Sequence, residues 1–72
     1  MKHIDFIIYC IETYKASKNL SGQEAYNTLQ KTGAVDYIDE CYEALHTFGD
    51  EAIVWNIDER INNQRFNTGA AT

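Results

Sequence analysis

Ala34-Val35-Asp36-Tyr37-Ile38-Asp39-Glu40-Cys41-Tyr42-Glu43-Ala44-Leu45-His46-Thr47 is the stretch that decides the fold. Its apolar residues Val35, Ile38, Cys41, Tyr42 and Leu45 recur three and four positions apart. That spacing lines one face of an α-helix, whereas a half-buried strand would alternate. Asp36, Glu40 and Glu43 share another face, as a solvated side should. Phe48 is placed to fold back on the last turn, and Gly49 ends the pattern. The stretch predicts one amphipathic helix over about residues 34–47.

Working outward, Asp50 has the chemistry of an N-cap for a further helix over about residues 51–62, with more carboxylates nearby to suit the positive end of the dipole. Ile53, Val54, Ile57 and Ile61 form its stripe. On the other side, Ser21-Gly22-Gln23-Glu24 reads as a capping box: the Ser21 hydroxyl accepts from the Glu24 amide while the Glu24 carboxylate reaches back to the Ser21 amide. The helix so started carries Ala25, Tyr26 and Leu29 inward and stops near Thr32, with Gly33 as its left-handed terminator. A first helix over residues 2–18 repeats apolar residues at Ile4, Ile7, Ile8, Ile11 and Tyr14. Phe6 and Cys10 widen that face, and Asp5, Glu12, Thr13 and Lys15 take the solvated side. Periodicity is lost from residue 63, where fraying is expected. The reading is all-α: a compact bundle of three to four short helices joined by tight turns, one domain over residues 1–62 with a tail over 63–72.

Composition agrees. Seventy-two residues make one domain, and a chain this short buries only ~60% of the surface its unfolded form exposes. An apolar fraction of 44% with five Tyr, three Phe and one Trp is enough for a core and argues against disorder. The absence of proline leaves long stretches free to be helical. Six basic against eleven acidic side chains give a net charge of −5, which disfavours direct contact with DNA or RNA phosphates. No apolar run approaches the ~20 residues of a membrane span, and no signal-peptide pattern opens the chain. The two cysteines, 31 positions apart, are expected to be reduced thiols in a cytosol.

Few residues offer chemistry. His46 falls in the last turn of a helix, where the macrodipole favours imidazolium; it is either a proton carrier or a side chain that satisfies the last carbonyls. A small enzyme or enzyme subunit using His46 with Tyr14 or a cysteine is the alternative to a non-catalytic role, although no local pattern nominates a nucleophile. Cys10, Cys41, His3 and His46 lack the paired spacing of a zinc site, and the acidic residues of the second half lack the glycine and terminal glutamate of an EF-hand. No metal and no cofactor are expected. Trp55 stands out: it lies two residues from Ile57, about 160° round the helix at ~100° per residue. Beside Ala52 and Glu59 on the solvent side it is a candidate interface anchor, unless the segment through Phe66 or the N-terminus folds over it.

Five segments carry a family resemblance: Phe6-x-x-Tyr9-Cys10-Ile11-Glu12-x-Tyr14, Leu20-Ser21-Gly22-Gln23-Glu24, Val35-Asp36-Tyr37-Ile38, Leu45-His46-Thr47-x-Gly49 and Ile53-Val54-x-x-Ile57-Asp58. In this order, over about residues 4–61, they resemble the small bacterial family catalogued as domain of unknown function 3791. The resemblance implies a short cytoplasmic helical protein with no established catalytic residues. It also implies genes for other small proteins nearby, some toxin-like, and hence a binding partner or antitoxin-like role. Tyr14, His46, Thr47, Gly49 and Asp58 are the family marks, structural or functional. Trp55 departs from the family's pattern, which has a polar residue there, so its surface is particular to this member and a function shared by the family should not depend on it. The expectation is a non-catalytic cytosolic interaction module, a homo-oligomer or a complex with a neighbouring gene's product. Asp36, Glu40 and Glu43 would meet a basic surface and Trp55 an apolar one, without membrane or direct nucleic-acid contact.

Overall fold

Four breaks divide the described chain into α1 (Ile4–Lys18), α2 (Gly22–Lys31), α3 (Ala34–Glu40), α4 (Tyr42–Leu45) and α5 (Asp50–Ala70). The computed structural model describes residues 2–70, with side chains as far as residue 63. The helix expected to end near residue 62 runs on to Ala70, and the Phe66 side chain lies outside the described set.

Each break has a local cause. Asn19 adopts the left-handed conformation at φ 57°, which asparagine tolerates better than most residues, and the Leu20 amide returns to the Lys15 carbonyl at 3.0 Å. The capping box forms in both directions: the Glu24 amide donates to Ser21 Oγ at 3.1 Å and the Ser21 amide to Glu24 Oε1 at 2.9 Å. Gly33, at φ 79°, stops α2 in the conformation that only glycine takes without strain.

The single helix expected over residues 34–47 is two. Cys41, at φ −100° and ψ 21°, interrupts it. The Leu45 amide still reaches the Cys41 carbonyl at 2.9 Å, but the Ala44 amide tightens to that same carbonyl at 3.1 Å. Neither glycine nor proline marks the spot; the residues around it are held by the N-terminal segment instead. A second correction concerns Asp50. The Gly49 carbonyl accepts from the Ile53 amide at 3.0 Å, which puts Gly49 in the N-cap position and Asp50 inside the first turn. The Asp50 carboxylate accepts a hydrogen bond from the Tyr9 hydroxyl.

The core is Ile7, Cys10 and Tyr14 of α1, Ala25 and Leu29 of α2, Ala34, Val35 and Ile38 of α3, Leu45 of α4, and Ile53, Val54, Ile57 and Ile61 of α5. Because α1 packs on α2, α3 and α5 together, its buried arc centres on Ile7, Cys10 and Tyr14. The stripe expected through Ile4 and Ile8 is therefore displaced: these two are 52% and 51% exposed. Tyr26, expected inward, is 38% exposed for the same reason, since Ala25 and Leu29 take the buried side of α2. The radius of gyration is 11.8 Å, close to the about 11 Å of a compact chain of this length. The longest dimension is 36 Å, and the 21 residues of α5 alone span about 31 Å at 1.5 Å each.

Candidate functional site

The packing of α5 fixes what it shows to solvent. With Ile53, Val54, Ile57 and Ile61 buried, Glu51, Ala52, Trp55, Glu59 and Asn62 face outward. Trp55 is 62% exposed, more than any other large apolar side chain of the described residues. Glu51 and Glu59 stand four residues before and after it, one turn away on the same face. No hydrogen bond or ion pair within the described residues engages either carboxylate. The neighbouring Asp58, in contrast, binds Lys18 at 2.7 Å and ties the end of α1 to α5.

The second acidic surface lies on α3 and α4, where Asp36, Glu40 and Glu43 are exposed and likewise unengaged within the described residues. Asp39 behaves differently. It accepts the His3 amide at 2.9 Å and the Lys2 amide at 3.0 Å, and these hold its carboxyl below the usual carboxylate range, the His3 bond most of all. Charge is unevenly divided. Residues 32–63 hold Asp36, Asp39, Glu40, Glu43, Asp50, Glu51, Asp58 and Glu59 against Arg60 alone.

The third arrangement joins both histidines of the chain. The Tyr42 ring lies between His3, with centroids 3.9 Å apart and planes 6° from parallel, and His46, at 4.4 Å and 7°. Phe6 meets the same ring edge-on at 5.2 Å and 84°. His46 Nδ1 lies 2.7 Å from the Tyr42 carbonyl oxygen; a carbonyl only accepts, so Nδ1 carries the proton. A recess of about 230 Å³ opens beside the stack, lined by Lys2, His3, Ile4, Asp5, Phe6 and Tyr42. Sequence reading singled out His46 for its place on a helix end but missed the stack, because no spacing rule connects His3 with a tyrosine 39 positions away.

The other marked residues are placed as follows. Tyr14 is buried in the core with the Lys18 ammonium 5.8 Å from its ring centroid. The Thr47 hydroxyl donates to the Ala44 carbonyl at 2.8 Å, closing the last turn of α4. Gly49 has open space where a Cβ would stand, so bulk does not explain the glycine. Cys10 is fully buried, and burial, with the Asp50 charge adding to it, pushes its thiol up to about 12. It is protonated at neutral pH and a poor nucleophile. Cys41 is half-buried. Within the described residues no three His, Cys, Asp or Glu side chains are disposed to hold a metal ion, and no helix is long and apolar enough to cross a membrane.

These features define a small all-α domain, acidic over its second half, with one tryptophan standing clear of its surface. The family model described as a protein of unknown function, DUF3791, matches residues 5–64, and the chain belongs to that family. No curated protein and no solved structure is significantly similar to it.

Proposed function

We propose that this chain is a non-catalytic protein–protein interaction module that docks through the outward face of α5. The observation that carries the reading is Trp55, 62% exposed at the middle of that face. A tryptophan brings a large rigid apolar surface at little entropic cost, and such side chains dominate interface energetics. Most of it is left in water, and α5 is anchored without it by Ile53, Ile57 and Ile61. In the bacterial cytosol that the family suggests, the partner is the product of a neighbouring gene, met as an antitoxin meets its toxin. A family pattern with a polar residue at this position makes the partner this member's own. The alternative, an enzyme built on His46 with Tyr14 or a cysteine, has less support: Tyr14 and Cys10 are both buried, and the Cys10 thiol stays protonated.

Affinity capture from the native cytosol tests the reading. The natural chain is expected to recover one stoichiometric partner and Trp55→Ala to lose it. An exposed position such as this leaves stability within about 0.5 kcal/mol, so the variant remains folded. Equal recovery of the partner by Trp55→Ala would overturn the proposal.

A further inference from the structure

We infer that the Glu51/Trp55/Glu59 face of α5 receives a cationic amphipathic helix of a partner protein, Trp55 entering an apolar slot between two arginine or lysine side chains. The inference rests on the docking reading above and adds the partner's chemistry.

Three observations carry it. The first is register. Glu51, Trp55 and Glu59 are spaced four and four along one helix, so the two carboxylates flank the indole about 12 Å apart along the axis at 1.5 Å per residue. A partner helix matches that span with cationic residues seven or eight positions apart and small or apolar residues between them. The second is charge. Both carboxylates are unengaged within the described residues while the adjacent Asp58 is taken by Lys18, and residues 32–63 hold eight carboxylates against one guanidinium. A desolvated Trp contact would bring these carboxylates close to the partner, and only positive charge makes that approach favourable. The third is symmetry. In a twofold pair of this chain centred on Trp55, Glu51 of one copy would face Glu59 of the other, and like charges would meet at both ends of the contact. The face therefore selects against a second copy of itself. It is repelled equally by nucleic-acid phosphates and by anionic lipid.

Trp55 is the only tryptophan of the chain, so its fluorescence reports contact directly. The probe is an alanine-based helical peptide of about 20 residues without aromatic residues, carrying arginines eight apart around a central leucine pair. Its twin has glutamate at the arginine positions. The arginine peptide is expected to give a saturable blue shift of Trp55 emission, and the glutamate peptide none. Glu51→Gln with Glu59→Gln should weaken binding about tenfold, and Glu51→Lys with Glu59→Lys should exchange the preference between the two peptides. Asp36→Asn with Glu40→Gln and Glu43→Gln should leave the shift in place. Circular dichroism of the glutamine variant, which keeps side-chain shape, guards against loss of fold. No saturable shift with the arginine peptide, or one undiminished by charge reversal, overturns the inference. If the natural partner then still depends on Trp55 in the capture experiment, docking through α5 stands and the cationic partner falls. If that dependence is missing, docking itself falls.

Discussion

Cys10 lies at 0% exposure on the buried side of α1, with its thiol pushed up to about 12, and this links proton binding to folding. Because the folded state holds the proton more tightly than the unfolded chain, the contribution is whole below the ordinary thiol value of 9.0 and is lost as pH rises towards about 12. Urea unfolding between pH 8 and 11 should show a loss of stability with alkali that is shallower in Cys10→Ala. A thiol reagent at neutral pH should label half-buried Cys41 first and Cys10 only on unfolding; equal labelling rates would contradict the burial. Asp39 runs in the opposite sense. The His3 and Lys2 amides hold its folded value below the usual range, so its contribution is present above the unfolded value and lost as pH falls through the folded one. Asp39→Asn should be less stable than the natural chain at pH 7, and the gap should close on acidification below about pH 4. At this scale local sequence was a good guide where one turn decides the outcome. Ser21 with Glu24, Gly33 and outward-facing Trp55 were all legible. Asp50 was misplaced by one residue, because the tertiary bond from Tyr9 engages the carboxylate that would otherwise cap the helix.

Among the elements, the break between α3 and α4 shows the reach and the limit of periodicity. Val35, Ile38 and Leu45 are buried as their spacing requires, so the apolar face was legible across a kink that was not. The kink's surroundings come from elsewhere in the chain: Asp39 holds the amides of residues 2 and 3, and Tyr42 is clasped between His3 and His46. The same distant partners decide α1. Its apolar residues cover an arc too wide for any one neighbour, and only the joint placement of α2, α3 and α5 leaves Ile4 and Ile8 in water. The aromatic stack should then act as the clasp that holds the N-terminal segment to α4. Tyr42→Ala removes two stacked contacts and one edge contact, each worth ~0.5–1.5 kcal/mol, and is expected to destabilise the domain by about 2 kcal/mol in urea unfolding. Tyr42→Phe keeps all three ring contacts and should be nearly neutral. A Phe variant as damaging as the Ala variant would move the weight from the ring to the hydroxyl.

For the whole molecule, electrostatics opposes compactness where packing favours it. The net charge of −5 and the crowding of carboxylates into residues 32–63 were readable directly from the sequence. The helix packing order was not, since it depends on which of several apolar arcs meet. The described residues hold two ion pairs, Lys15 with Glu12 at 3.2 Å and Lys18 with Asp58 at 2.7 Å, both on the surface, where such pairs contribute ~0–1 kcal/mol each. Unengaged carboxylates outnumber these pairs: Asp36, Glu40 and Glu43 on α3 and α4, Glu51 and Glu59 on α5. Screening should thus relieve more repulsion than it removes attraction. As sodium chloride is raised from about 0.01 to 0.15 M, the Debye length falls from ~30 to ~8 Å, and the urea midpoint is expected to rise. Neutralising Asp36, Glu40 and Glu43 together should raise the midpoint at low salt and flatten its dependence on salt. A midpoint that falls as salt is added would mean that the two ion pairs outweigh the repulsion. The acidic surface would then carry no electrostatic strain for a cationic partner to relieve.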